Sequence, residues 1–129
     1  MDKIVDTAPQ PVDGEHPYSA AREVRGFVFV SGALSIKENG EAQPGRREAL
    51  DAALARLEER LATVGARLRD VVKLTYFATD CSLRTEANEQ FVERFTLPRP
   101  ARTFLEVAKL PYGATVEIDA IADMQSDGK

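Results

Sequence analysis

Between residues 46 and 64 the apolar side chains return at helical spacing. Leu50, Leu54, Leu57, Leu61 and Val64 form one stripe, and Glu48, Asp51, Arg56, Glu58 and Arg60 fall away from it. Gly65 stands just past the last periodic residue, where a C-terminal cap belongs. Upstream the pattern differs. Phe27-Val28-Phe29-Val30 is a continuous run of aromatic and β-branched residues, which predicts a strand buried on both faces that stops at Ser31-Gly32. A weaker strand is expected over 18–24, joined to it by a turn at Arg25-Gly26. A polar loop through Asn39-Gly40 and Pro44-Gly45 leads to the helix.

Downstream, Val71 to Thr79 reads as a second buried strand. A shorter helix fits 85–95, with Ala87, Phe91, Val92 and Phe95 on one face and Thr85 as its cap. Pro98 and Pro100 end it and impose an extended backbone before the next element. Strands follow over roughly 102–108 and 115–122, with Pro111-Tyr112-Gly113 between them. Residues 1–16 read as an irregular leader and 123–129 as a polar tail of one domain, 1–129. The succession predicts a mixed α/β (α+β) fold in which the first three main strands run parallel. The last strand either pairs with its predecessor as a hairpin or inserts antiparallel elsewhere; periodicity does not choose. Two helices cover one sheet face only. Apolar residues stand on both strand faces, Phe27, Phe29 and Tyr76 in one set and Val28, Val30 and Phe77 in the other, so self-association over the second face is expected.

Composition narrows the classes. With 129 residues, 43% apolar and 29% charged, the chain has the make-up of one globular domain. A net charge of -4 and a pI near 5.1 give no footprint for a polyanion, so nucleic acid is a disfavoured partner. Cys81 and His16 are single residues of their types and supply no metal-ligand set. No apolar run is long enough to span a membrane, and the N-terminus lacks a signal-peptide pattern, so a cytoplasmic protein without a metal is expected.

The common catalytic constellations are missing: there is no glycine-rich phosphate loop, no GxSxG elbow and no histidine beside a nucleophile. Cys81, without a base nearby, reads as an inert thiol. Two charged residues remain. Arg102 follows a proline-stiffened turn at a strand start, where its planar fork could bind a carboxylate through two parallel hydrogen bonds or join a surface ion pair. Glu117 alternates with buried positions in Val116-Glu117-Ile118-Asp119-Ala120-Ile121-Ala122, sharing one face with Asp119 and Ile121. A carboxylate there is paired, or carries the raised pKa that proton transfer near neutrality requires.

Four ordered segments carry a resemblance. Pro17-Tyr18-Ser19-x-Ala21 with Phe29-Val30-Ser31-Gly32 is similar to the N-terminal signature of the Rid/YjgF superfamily. Gly65-Ala66-x-Leu68-x-Asp70-Val71-Val72-Lys73 resembles its helix-to-strand joint. Pro100-Ala101-Arg102-Thr103, Val107, Leu110-Pro111 and Val116-Glu117-Ile118 resemble its C-terminal signature, and Asn88 falls where the family carries an asparagine. The resemblance runs from about Ala8 to Ala122. It implies a chorismate-mutase-like mixed sheet with two helices on one face, the last strand inserted antiparallel, and a trimeric barrel-like assembly with sites between subunits.

The implied activity is hydrolysis of reactive enamines and imines, such as 2-aminoacrylate, to keto acids and ammonia without metal or cofactor. The resemblance assigns Arg102 to the substrate carboxylate and Glu117 to the water, with Tyr18, Ser31, Gly32 and Asn88 lining the pocket. Phe104 stands where deaminase members often have a small residue, and Ala33 where glutamine is common. Both point to an imino acid other than the smallest, or to a non-catalytic trimer that binds small carboxylates or a protein partner. The endoribonuclease label attached to parts of the family is disfavoured by the acidic charge.

Overall fold

The strands form where apolar residues alternate with residues suited to a surface, and the helices where the period lengthens. The computed structural model describes residues 16–126. The leader expected over 1–16 lies outside the described residues apart from His16, as do residues 127–129 of the expected tail. The elements are β1 (Ala21–Val24), β2 (Phe27–Leu34), α1 (Arg46–Ala62), β3 (Val71–Ala78), α2 (Arg84–Arg94), β4 (Ala101–Glu106) and β5 (Val116–Asp123). They build one mixed sheet in the order β1-β2-β5-β3-β4. β3 and β4 are parallel neighbours. β5 runs antiparallel between β2 and β3, which gives β2, β3 and β4 a common direction. The inserted arrangement holds and the hairpin does not form.

Both helices lie on one face. Leu50, Leu54, Leu57 and Leu61 of α1 are fully buried, and α1 packs across β2 and β5 with α2 beside it. Each such leucine stabilises the fold by about 1.5–3 kcal/mol relative to exposure. Val64, the last of the stripe, is partly buried against the same core. Gly65 closes the helix in the left-handed region at φ 81, with its N–H donating to Ala62 O (3.1 Å) and that of Ala66 to Leu61 O (3.1 Å). Ion pairs Arg46–Glu86 (2.7 Å), Arg47–Glu93 (2.6 Å) and Arg94–Glu58 (3.1 Å) join the two helices at the surface.

Several sequence expectations change. β2 does not stop at Ser31-Gly32: pairing with β5 shifts between Val30 and Ala33 and the strand continues to Leu34, a bulge that places one extra residue there. β2 is also buried on one face only, with Phe27 and Phe29 42% and 50% exposed. The cross-strand register puts Phe77 with Phe27 and Phe29 on the open face and Tyr76 with Val28 and Val30 under the helices, the reverse of the expected sets. Thr85 does not cap α2. Asp80 accepts the Ser82 N–H (2.9 Å) and starts a short 3-10 turn, Cys81–Leu83, that runs into the helix. Val92 is exposed, whereas Gln90 is buried with Ala87 and Phe91. Arg60 is 7% exposed rather than on the solvent side of α1. β5 takes in Asp123, and Met124 packs against the core. No helix of the described residues is long and apolar enough to cross a membrane.

One buried polar chain pins β3 to both helices. Tyr76 Oη donates to Gln90 Oε1 (2.8 Å), and Gln90 Nε2 donates to Asp51 Oδ1 (2.9 Å). Burial pushes the Tyr76 phenol well above its ordinary range, so it remains a donor. Tyr76→Phe leaves the Gln90 acceptor buried and unmet, and it should cost about 1–3 kcal/mol in urea unfolding. A loss within error of zero would contradict this network.

Candidate active site

Arg102 sits on β4, the edge strand, opposite Leu74. Residues paired across a ladder share a face, so Arg102 points to the helix side. There its guanidinium carbon lies 5.3 Å from the Tyr76 ring centre, 5.1 Å from Phe91 and 5.7 Å from Phe104. Nη2 donates to Asn88 Oδ1 (2.7 Å), while Nη1 is buried without an acceptor. Burial, offset by Tyr76 and reinforced by the charge of Arg84, pulls Arg102 below its usual value. A guanidinium stays protonated through such a shift. The surface ion pair that the spacing allowed is not formed among the described residues. Aromatic faces enclose the cation, and Asn88 takes one arm of the fork and fixes its rotation.

Glu117 points the other way. It stands opposite Phe77 and Leu34, on the sheet face that the helices leave bare. Burial, with the Asp119 carboxylate beside it, pushes its pKa up, against an opposing pull from the Arg60 charge. It forms no ion pair among the described residues. Its carboxylate lies over Gly32, in the space a Cβ would take, so a larger residue there would make the Glu117 side chain shift. Ser31 Oγ donates to Ser19 O (2.7 Å) and Ser31 N–H to Ala20 O (3.0 Å), tying the segment that carries Tyr18 to the bulge. Tyr18 is half exposed and stacks on His16 at 4.9 Å.

The predicted site residues therefore fall into two groups. Arg102, Asn88 and Phe104 lie together on the helix side of the β4 edge, and Tyr18, Ser31, Gly32 and Glu117 lie together around β2 and β5. Within one chain the two groups face opposite sides of the sheet. Ala33 belongs to neither, because it is fully buried in the core opposite Ile118, and no glutamine-like contact could be made from it without moving the strand. Cys81 is a free, exposed thiol, and its N–H donates to Glu106 Oε1 (2.8 Å). Sequence reading missed Tyr76 and Phe91, whose rings complete the cage, and Arg60. The signal for Arg60 was its place three residues after Leu57, on the apolar stripe.

The endoribonuclease L-PSP family model matches residues 7–124. The chain belongs to this family, the Rid/YjgF superfamily. A RutC family protein of Pyrococcus abyssi is 36% identical over 121 residues, covering 92% of this chain and 93% of that one. A bovine (Bos taurus) protein named 2-iminobutanoate/2-iminopropanoate deaminase is 35% identical over 122 residues, covering 93% and 88%. Among solved structures, RidA from the Antarctic bacterium Psychrobacter sp. PAMC 21119 superposes with a TM-score of 0.79 at 34% identity, covering 93% and 96%. This Rid/YjgF chain thus matches these three proteins over nearly their whole length.

The raised Glu117 pKa has a consequence for stability. Between the ordinary carboxyl value of 4.5 and the higher folded value, the native state holds the proton more tightly than the unfolded chain. Stability from this group therefore falls as pH rises through that window. Glu117→Gln should melt above wild type near neutral pH, with the gap closing as the pH approaches about 4. Melting curves across that range check it, and a gap independent of pH would refute the assignment.

Proposed function

We propose that this protein hydrolyses enamines and imines of small acids to keto acids and ammonia, in sites shared between copies of a homotrimer. The observation that carries the reading is Arg102. It is a cation on a sheet edge, caged by three rings, oriented by Asn88 and left without a carboxylate of its own. The deaminase name of the bovine relative supports the same chemistry.

The reaction asks little of the protein. The imine carbon is already electrophilic, so water adds to it and the nitrogen takes a proton. The resulting carbinolamine expels ammonia and leaves a ketone. Arg102 holds the substrate carboxylate and so fixes where that carbon lies. Glu117 serves as the proton carrier. Its raised pKa suits both steps, accepting a proton from water and delivering one to nitrogen.

A site that uses both residues needs a second copy, since Arg102 and Glu117 face opposite sides of one sheet. The bare face, with Phe27 and Phe29 exposed, gives apolar surface for that association. Phe104 lies 5.7 Å from the Arg102 guanidinium carbon and offers a ring on which a side chain can stack, which favours an imino acid other than the smallest. The same ring favours the rival reading, a trimer that only binds small carboxylates or a protein partner.

Imino acids generated in situ by an amino-acid oxidase and followed as semicarbazones separate these readings. Wild type should accelerate their loss, and Arg102→Ala should lower kcat/KM by about 10- to 100-fold, the worth of a charge-assisted pair. Glu117→Ala should abolish turnover while a keto-acid product still binds. Loss of imine no faster than in buffer would overturn the deaminase reading and leave the binding trimer.

A further inference from the structure

Helical spacing puts Arg56, Glu59, Arg60 and Thr63 on one side of the C-terminal half of α1. Arg60 lies between Leu57 and Leu61 and is 7% exposed. Its Nε and Nη1 are buried without a hydrogen-bond acceptor, and no ion pair joins it to a carboxylate among the described residues. A buried cation in that state destabilises a fold, and an aliphatic side chain would serve the leucine stripe better. Packing gives no reason for the charge.

The space beside it does. Arg60 lines a groove of about 510 Å³ between that side of α1 and the segment 16–21. A cavity of this size takes a small organic molecule. Arg56, Glu59 and Thr63 line the same groove, so its helix wall carries two guanidinium groups against one carboxylate. Thr63 Oγ1 already donates to Arg60 O (2.6 Å). The other wall is largely apolar, with Pro17, Tyr18 and Ala21. The groove lies on the helix side of the sheet, where the segment 16–21 runs into β1 at one edge, and its lining includes neither Ser31, Gly32 nor Glu117. The Arg102 cage is at the opposite edge, on β4.

We infer that this groove is a second anion site, separate from the Arg102 cage, which takes a small organic molecule with one carboxylate and an apolar body. A carboxylate seated on Arg60 supplies the acceptors that its fork lacks, through charge-assisted hydrogen bonds. The apolar body then lies along Pro17 and Tyr18. Two cations against one acid match a single negative charge, whereas a phosphate dianion would find only one net cation there. Such a ligand also accounts for an unpaired arginine kept among leucines. No bond is made or broken at this site, so the inference stands or falls apart from the deaminase reading.

Equilibrium dialysis with radiolabelled benzoate tests this in Arg102→Ala protein, whose candidate active site has lost its own carboxylate-binding group. That protein should still bind benzoate, and adding Arg60→Met should weaken the binding by about tenfold or more. Equal binding by the two proteins, or none by Arg102→Ala protein, overturns the inference. Benzamide, of the same shape without the charge, should bind no better than benzoate binds the double variant. Benzamide binding as tight as that of benzoate would show an apolar fit alone and contradict a site built on Arg60. Inorganic phosphate separates the two anion chemistries: it should displace the label less well than unlabelled benzoate does, and stronger displacement overturns the carboxylate assignment. Melting curves separate binding from folding. Arg60→Met removes a buried unpaired charge, so without ligand it should melt no lower than wild type. Benzoate should raise the Tm of Arg102→Ala protein and leave that of the double variant unchanged. A lower Tm for Arg60→Met without ligand would mark Arg60 as structural and contradict the proposal.

Discussion

β5 is hydrogen-bonded along both edges, to β2 on one side and β3 on the other, so its two-residue alternation decides what each sheet face contains. Val116, Ile118, Ala120 and Ala122 go under the helices and complete the core. Glu117, Asp119 and Ile121 go to the bare face. A slip of one residue would exchange the two sets, bury two carboxylates among leucines and expose the core. The same register places Tyr76 under the helices, where it meets Gln90 and forms one wall of the Arg102 cage. The insertion of this strand thus fixes core, cage and carboxylate together.

Three ionic groups are held in this frame without ion-pair partners among the described residues: Arg102, Glu117 and Arg60. On the helix surfaces, by contrast, Arg46–Glu86 and Arg47–Glu93 are paired. The contrast is physical. The paired groups lie on the helix surfaces, where long side chains reach each other and water screens what is left. The unpaired ones are partly or wholly withdrawn from water, which is unfavourable for the fold; at Arg102 it is useful for binding, because a ligand carboxylate meets the cation with little desolvation left to do. Glu117 shows the cost in its raised pKa, and Arg102 in its lowered one.

Much of this was legible in the sequence, for reasons of period. The leucines of α1 and the strict alternation of β5 are long patterns with one solution each, and both stand as read. The resemblance of four segments supplied the insertion of β5, which no local pattern could, since strand order depends on contacts distant in sequence. Short runs were less informative. Tyr76 and Phe77 are both aromatic, and only the register with Ile118 and Glu117 tells which one faces the helices. Thr85 is a good cap residue by type, but the 3-10 turn that Asp80 caps runs straight into α2, which has no side-chain cap of its own. Arg60 looked like a solvated residue because arginine usually is one. Its place on the apolar stripe was the better guide.

In the proposed trimer, one chain holds half of each site. Arg102→Ala protein, slowed about 10- to 100-fold, and inactive Glu117→Ala protein can be mixed under conditions that allow subunits to exchange, and their imine hydrolysis measured against each parent alone. If each site joins Arg102 of one copy to Glu117 of another, mixed trimers regain one intact site, and an equal mixture should recover about a quarter of wild-type activity. If exchanged mixtures show no more activity than the average of the two parent variants, both residues serve within a single chain or not at all, and the shared-site account is wrong.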